Sequence, residues 1–288
     1  MSKLIKSPLN YTGGKGKILP QILPLFPERI NTFVDLFAGG ANVGINVNAQ
    51  KIIFNDNIVP LIELYKTLQR NSVEKTLDYV EQQIDCFNLS KDNEEAYRNL
   101  RNCYNEHKDP LLLFVLTAYS FNHQIRFNNS IEYNVPFGKN RSSYNDRIRE
   151  NLIAFMNKLH SVNATFMANN FDELDLSYLG ASDFVYADPP YLITTGTYND
   201  GKRGFTGWGP QQEEVLLELL DKLDARGVRF ALSNVIKHKK MENKFLVDWL
   251  KKNVHYHVHN IIKDYTNSSY NVKNKDKDDT QEVLITNY

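Results

Sequence analysis

Residues 32–57 read TFVDLFAGGANVGINVNAQKIIFNDN, and the order of their patterns decides the fold. Thr32 to Leu36 is a short apolar run, the signature of a buried strand. Ala38-Gly39-Gly40 is a turn. From Ala41 to Ala49 apolar residues recur at helical spacing, which predicts a helix. Ile52-Ile53-Phe54 is a second strand, closed by Asn55-Asp56-Asn57. Strand, glycine turn, helix and strand together open a parallel βαβ unit.

Outward from this stretch the alternation stops and later resumes. Between residues 60 and 163 the pattern is helical, over 61–68, 73–84, 94–104 and 110–119. An irregular polar segment, 121–144, follows, read as a loop or as a hairpin near 121–140. Strand patterns return at 165–167, 184–187, 229–232, 254–262 and 282–286, with helices at 211–223 and 241–251. The expected organisation is a doubly wound α/β domain made of residues 1–59 and 164–288. A mostly helical insert, 60–163, interrupts it.

The 288 residues are enough for a large core, with 42% hydrophobic and 12% aromatic side chains. Lysine plus arginine and aspartate plus glutamate are both 34, so the net charge is zero. A polycation that coats nucleic acid is excluded, and any nucleic-acid surface must be local. Cys86 and Cys103 form neither a disulfide framework nor a CxxC pair, which fits a reducing compartment. Met1 to Pro8 is basic and lacks an apolar stretch, so no export signal is expected. The longest apolar run, Leu111 to Tyr119, is too short for a membrane span and reads as a buried helix. Asn271 to Asp279 reads as a mobile charged loop.

Three segments carry chemistry. In the first, Asp35-Leu36-Phe37-Ala38-Gly39-Gly40, a glycine turn lets a ligand approach the backbone. A dinucleotide fingerprint would need glycine at 39, 41 and 44, but the middle glycine, the one that makes room for a pyrophosphate, is replaced by Ala41. Asp56 stands 21 residues after Asp35, where a ribose diol is held. A ribose site without a phosphate site points to S-adenosylmethionine. A tight turn with a solvated aspartate fits this segment alone equally well.

The second segment, Asp188-Pro189-Pro190-Tyr191, follows the buried strand 184–187. Ligands of open α/β sheets bind beyond the carboxyl ends of the strands. Asp188 and the Pro189 carbonyl are two acceptors, and Tyr191 offers a flat face. An exocyclic amine on a planar ring matches all three. Hydrogen bonds aimed out of the ring plane pull the amine nitrogen towards tetrahedral geometry, which frees its lone pair. The third segment is Asn10-Tyr11-Thr12-Gly13-Gly14-Lys15-Gly16-Lys17. Its spacing is not that of a P-loop. Tyr11 is suited to stacking and Lys15 to a carboxylate or a carbonyl.

With these segments in this order, the chain resembles the Dam-like family of DNA adenine-N6 methyltransferases in its α arrangement. That family includes methylases of type II restriction–modification systems. The resemblance runs through NYTGGKGKIL, FVDLFAGGANVG, FNDN, 121–138, DPPY, LSN at 232 and the final EVLITNY. It implies a Rossmann-like methyltransferase sheet with a DNA-recognition insert. It implies that Tyr11, Lys15, Asp56 and Asp188 contact S-adenosylmethionine, beside Asp35, Phe37, Gly39 and Gly40 of the glycine segment. It also implies that Asp188, Pro189, Pro190 and Tyr191 hold a flipped adenine. Tyr11 departs from the tryptophan of many members, but either residue stacks.

In the insert, Phe121 to Asn128 mixes one arginine with amides and apolar side chains. An arginine fork suits guanine, and an amide suits adenine. Asn122, Gln124, Arg126 and Asn128 are therefore the candidate base readers. Asn134-Val135-Pro136-Phe137-Gly138 is similar to the family's recognition hairpin, which adds Pro136. Lys139 and Arg141, with Arg147 and Arg149, outnumber Glu132 and Asp146 and suit phosphates. His255, His257 and His259 read as an outer strand face, with no carboxylate paired to them and Val254, Tyr256 and Val258 inward. No metal is expected.

The reading is a monomeric, cytoplasmic adenine-N6 methyltransferase of bacterial or phage origin. Its site is of GATC or CATG type, and a restriction endonuclease is its separate partner. Cytosine-N4 methylation is the nearest rival, since any exocyclic amine satisfies the same acceptors. A catalytically silent DNA-binding module conflicts with Asp188 and Lys15, and a dinucleotide oxidoreductase with Ala41.

Overall fold

The computed structural model describes residues 4–11, 13–194, 208–262 and 280–288. In chain order its helices are α1 (Leu19–Ile22), α2 (Val59–Arg70), α3 (Val73–Phe87), α4 (Glu94–His107), α5 (Pro110–Tyr119), α6 (Asp146–His160), α7 (Pro210–Asp224) and α8 (Lys244–Lys252). Its strands are β1 (Thr32–Asp35), β2 (Lys51–Asn55), β3 (Ala164–Met167), β4 (Phe184–Ala187), β5 (Arg229–His238), β6 (Met241–Glu242), β7 (His257–Ile261) and β8 (Thr280–Thr286). The chain divides into two compact units. The first is Met1–Gly16, Ala38–Val47 and Lys51–Asn169; the second is Lys17–Phe37, Asn48–Gln50 and Asn170–Tyr288. The helical segment 60–163 thus clusters with β2, β3 and the glycine turn.

In the first unit β2 and β3 pair in parallel, from Ile52 opposite Ala164 to Asn55 opposite Met167. Helix α5 is apolar all round, and Leu111 to Tyr119 are all buried. A helix without a polar face has to be covered on every side, and α2, α3 and α4 pack on it. Asp109 caps it by accepting from the amides of Leu111 (2.8 Å) and Leu112 (3.4 Å). The Tyr79 hydroxyl of α3 donates to the same carboxylate at 2.7 Å, joining the two helices. Helix α6, which lies in the mostly helical insert just beyond its irregular segment 121–144, packs on α2 and α3.

In the second unit the strands lie in the order β1-β4-β5-β8-β7. The first three are parallel, β8 and β7 are antiparallel, and β6 folds back on the end of β5. Every residue of β1 and β4 is buried, as expected for parallel strands covered on both faces. Asp183 sets where β4 begins: it accepts from the Thr32 amide (2.9 Å), the Asn31 amide group (3.0 Å) and the Gly180 amide (2.9 Å). Burial works against its charge, yet these donors hold the carboxyl below its ordinary range. Glu213 of α7 is fully buried and accepts from Asn234 (2.9 Å), Asn243 (2.7 Å) and the Trp208 indole (2.6 Å). The asparagine of the LSN segment therefore anchors α7.

Several expectations are corrected. The helix expected over 41–49 is a single 3-10 turn, Gly44–Asn46. Ala41 takes φ 56°, outside the helical region. The Asn42 and Asn46 side chains bond the backbone of Ser7 and Ile5 at 3.1 and 2.8 Å. The helix expected from Met241 starts at Lys244, because Met241–Glu242 pair with β5. Strand β7 starts at His257, and Val254 (86%) and Val258 (42%) are exposed rather than inward. His255 does pair with a carboxylate, Asp224, at 2.9 Å. The charged stretch 271–279 lies outside the described residues. Among the described residues no helix is long and apolar enough to cross a membrane.

Candidate active site

The first unit carries the glycine turn. The Gly39 amide donates to Asp56 Oδ2 at 2.8 Å, and its carbonyl accepts from the buried Tyr65 hydroxyl at 2.8 Å. The other Asp56 oxygen accepts from the Ile58 amide at 3.0 Å. Burial raises the Asp56 carboxyl above its ordinary value, and the two amides oppose that shift. Gly39 has φ 46°, and a Cβ there would stand 2.9 Å from the Tyr11 ring. A Cβ on Gly40 would stand 2.9 Å from Tyr11 Cβ. These glycines therefore make room for Tyr11, beyond any room they make for a ligand. The Gly14 amide donates to the Tyr11 carbonyl at 3.1 Å, and Lys15 is buried. Tyr65 went unnoticed in the sequence because a tyrosine at a helical core spacing reads as packing.

The second unit carries Asp35 and the DPPY turn. Asp35 at the end of β1 is buried and stands opposite Tyr186 of β4. Phe37 packs against Phe171 and Trp208, with ring centroids at 5.3 and 5.6 Å. The latter two are 5.4 Å apart, so the three rings form one cluster. Asp188 follows β4 directly and is half-buried; Pro189 is buried and Pro190 exposed. The Tyr191 hydroxyl lies 3.2 Å from Asp188 Oδ1 and 3.0 Å from Glu282 Oε1 of β8. Burial, then the charges of Asp188 and Glu282, push the Tyr191 phenol well above its usual value, so it stays a neutral donor. Beneath the turn the Tyr186 hydroxyl meets Ser233 of LSN at 2.8 Å. Phe171 lies in no quoted motif, and Glu282 opens the EVLITNY segment, to which the sequence reading gave no site role.

Within the insert, residues 120–137 form a hairpin docked on α4. Phe127 pairs with Tyr133, and Ser120 with Phe137. Asn105 of α4 bonds both backbone groups of Tyr133, at 2.8 and 3.2 Å. Tyr97 donates to the Val135 carbonyl at 2.8 Å, and Lys108 to that of Ile131 at 2.8 Å. The Nε–Nη2 edge of Arg126 is bound to Asn134, at 2.8 Å to the side chain and 3.0 Å to the carbonyl. Asn128 closes the loop by accepting from the amides of Ser130 and Glu132. Asn122 takes φ 54°, and its carbonyl accepts from Asn10 at 2.9 Å. Gln124 is half-buried, and its carbonyl accepts from Tyr133 at 2.6 Å. Pro136, Lys139 and Arg141 are exposed, and Arg141 lies 5.3 Å over the Phe121 ring.

Residues 11–284 match the family of D12 class N6 adenine-specific DNA methyltransferases. The chain belongs to that family. It is 51% identical over 284 residues to the type II methyltransferase M.FokI of Planomicrobium okeanokoites, covering 99% of this chain and 43% of that protein. It is 53% identical over 289 residues to the modification methylase StsI of Streptococcus sanguinis, with the same coverage. The chain thus spans less than half the length of these two relatives. The type II methyltransferase M.MjaIII of Methanocaldococcus jannaschii is 28% identical over 306 residues, covering 99% of both chains. The match to the D12 class includes the glycine turn, the hairpin and the DPPY segment.

Proposed function

We propose that the chain methylates the N6 amine of an adenine flipped out of a short duplex site of GATC or CATG type. It does so as the protective member of a restriction–modification pair. S-adenosylmethionine supplies an electrophilic methyl group on its sulfonium. The residues present fit this group. Asp56 keeps acceptor lone pairs beyond those used by Gly39 and Ile58, which suits a ribose diol. The cluster of Phe37, Phe171 and Trp208 gives an apolar face for a flat ring. Tyr11, Lys15, Asp35, Gly39 and Gly40 complete the assignment. Lys15 would reach a carboxylate, as its family-matched position implies.

The observation that carries the reading is Asp188 at the carboxyl end of β4, with a neutral, anchored tyrosine three residues on. Asp188 and the Pro189 carbonyl accept the two amine hydrogens, and Tyr191 stacks on the ring. The target base leaves the duplex at a cost of a few kcal/mol. Hairpin residues Asn122, Gln124, Arg126, Asn128 and Pro136 face the bases, and Lys139 and Arg141 the phosphates. The protein acts as a monomer in the cytoplasm, and the nuclease acts separately. The test is tritium transfer from the labelled donor to DNA, with modified bases then sequenced in cells that express the chain. Adenine-N6 methylation at one short site is expected. Modified cytosine, or no transfer, overturns the reading.

A further inference from the structure

A second carboxylate stands behind the DPPY turn. Glu282 is buried in β8, and its Oε1 lies 3.0 Å from the Tyr191 hydroxyl. Asp188 Oδ1 lies 3.2 Å from the same hydroxyl. A phenol has one hydrogen, so two carboxylates compete for it. Glu282 is opposite Val235 of β5, next to a register slip between Val235 and Lys237.

We propose that Glu282 is a positioning residue that draws the Tyr191 hydroxyl hydrogen away from Asp188. The effect is twofold. The ring of Tyr191 is locked at the turn, and the Asp188 oxygen gives up less of its acceptor strength to the phenol. Without Glu282 the phenol shifts towards Asp188 and weakens the acceptor that activates the amine. This rests on the reading of Asp188 as the amine acceptor.

Single-turnover methylation at saturating DNA and donor tests it. Expected is a rate about tenfold lower for E282A, the scale of one charge-assisted hydrogen bond, with KM for DNA unchanged. E282Q keeps an acceptor oxygen and recovers most of the rate. Y191F loses the lock alone and is slower by about threefold. The decisive variant is the double one. Y191F/E282A returns to the Y191F rate, faster than E282A, because no hydroxyl remains to burden Asp188. If E282A does not fold, E282M fills its volume without an acceptor and takes its place. A wild-type rate in E282A, or a double variant as slow as E282A or slower, overturns the proposal. Failure of the underlying reading looks different: D188A would then keep its turnover.

Discussion

Asp56 and Asp188 each directly follow a strand, β2 and β4, and their surroundings differ. Asp188 has a neutral phenol beside it, and no helix starts within the described residues 189–194 that follow it, so its carboxylate caps none there. D188A should lower methylation by about a hundredfold or more, the cost of losing an acceptor aimed at reacting charge, while the thermal transition stays near that of the parent. Near-normal turnover would remove the proposed mechanism. Asp56 already serves two backbone amides, so its effect on the donor has two routes. D56A should weaken S-adenosylmethionine by about 1–3 kcal/mol, read by calorimetry. Y65F loosens the same glycine from its carbonyl side. If Asp56 acts through the ribose, Y65F leaves the affinity nearly unchanged. Equal losses in both variants would make Asp56 a support of the turn alone.

The elements were legible where one local pattern dictated them. Helix α5 is apolar all round, and the strands β1 and β4 are continuous apolar runs, so burial on all sides followed from sequence. What misled was a pattern overridden from far away. The 41–49 stretch has helical spacing, but Asn42 and Asn46 bond residues 35 and 41 positions back. The hairpin was expected from the family resemblance of residues 134–138, yet its anchor Asn105 looks like any helix surface residue. Glu282 meets Tyr191 from 91 positions away. N105A strips both partners from the Tyr133 backbone and should cost about 1–3 kcal/mol. Proton exchange should then rise at the hairpin amides before those of α5. Uniform protection in both would mean that the hairpin holds without α4. D183N removes an acceptor from the start of β1 and β4 and should destabilise by a similar amount at neutral pH. The native carboxyl is held below its ordinary value, so its stabilisation is present above pH 3.8 and is lost as pH falls through the lowered value. The gap between D183N and the parent should therefore close in acid. A gap independent of pH would point to packing instead.

For the whole molecule, zero net charge means that DNA affinity must come from local surfaces. The exposed Lys139 and Arg141 follow the hairpin, whereas Arg126 is half-buried and held by Asn134 through one edge. On the proposed reading, a guanidinium held in this way would present its other edge to a guanine, a pairing worth about 1–3 kcal/mol against the wrong base. R126A should lower methylation at the correct site, relax the choice at one position and barely alter the salt dependence. K139A and R141A should weaken binding to every sequence and reduce the salt slope by about one unit each. Oligonucleotides that each carry one altered base pair, assayed at two salt concentrations, separate the two behaviours. Because Arg126 also ties Asn134 into the hairpin, N134A serves as the control for loosening alone. It should slow all sequences in proportion and leave their ranking intact. If R126A does no more than N134A, or flattens the salt slope as K139A does, Arg126 reads no base and the positive surface alone carries the contact.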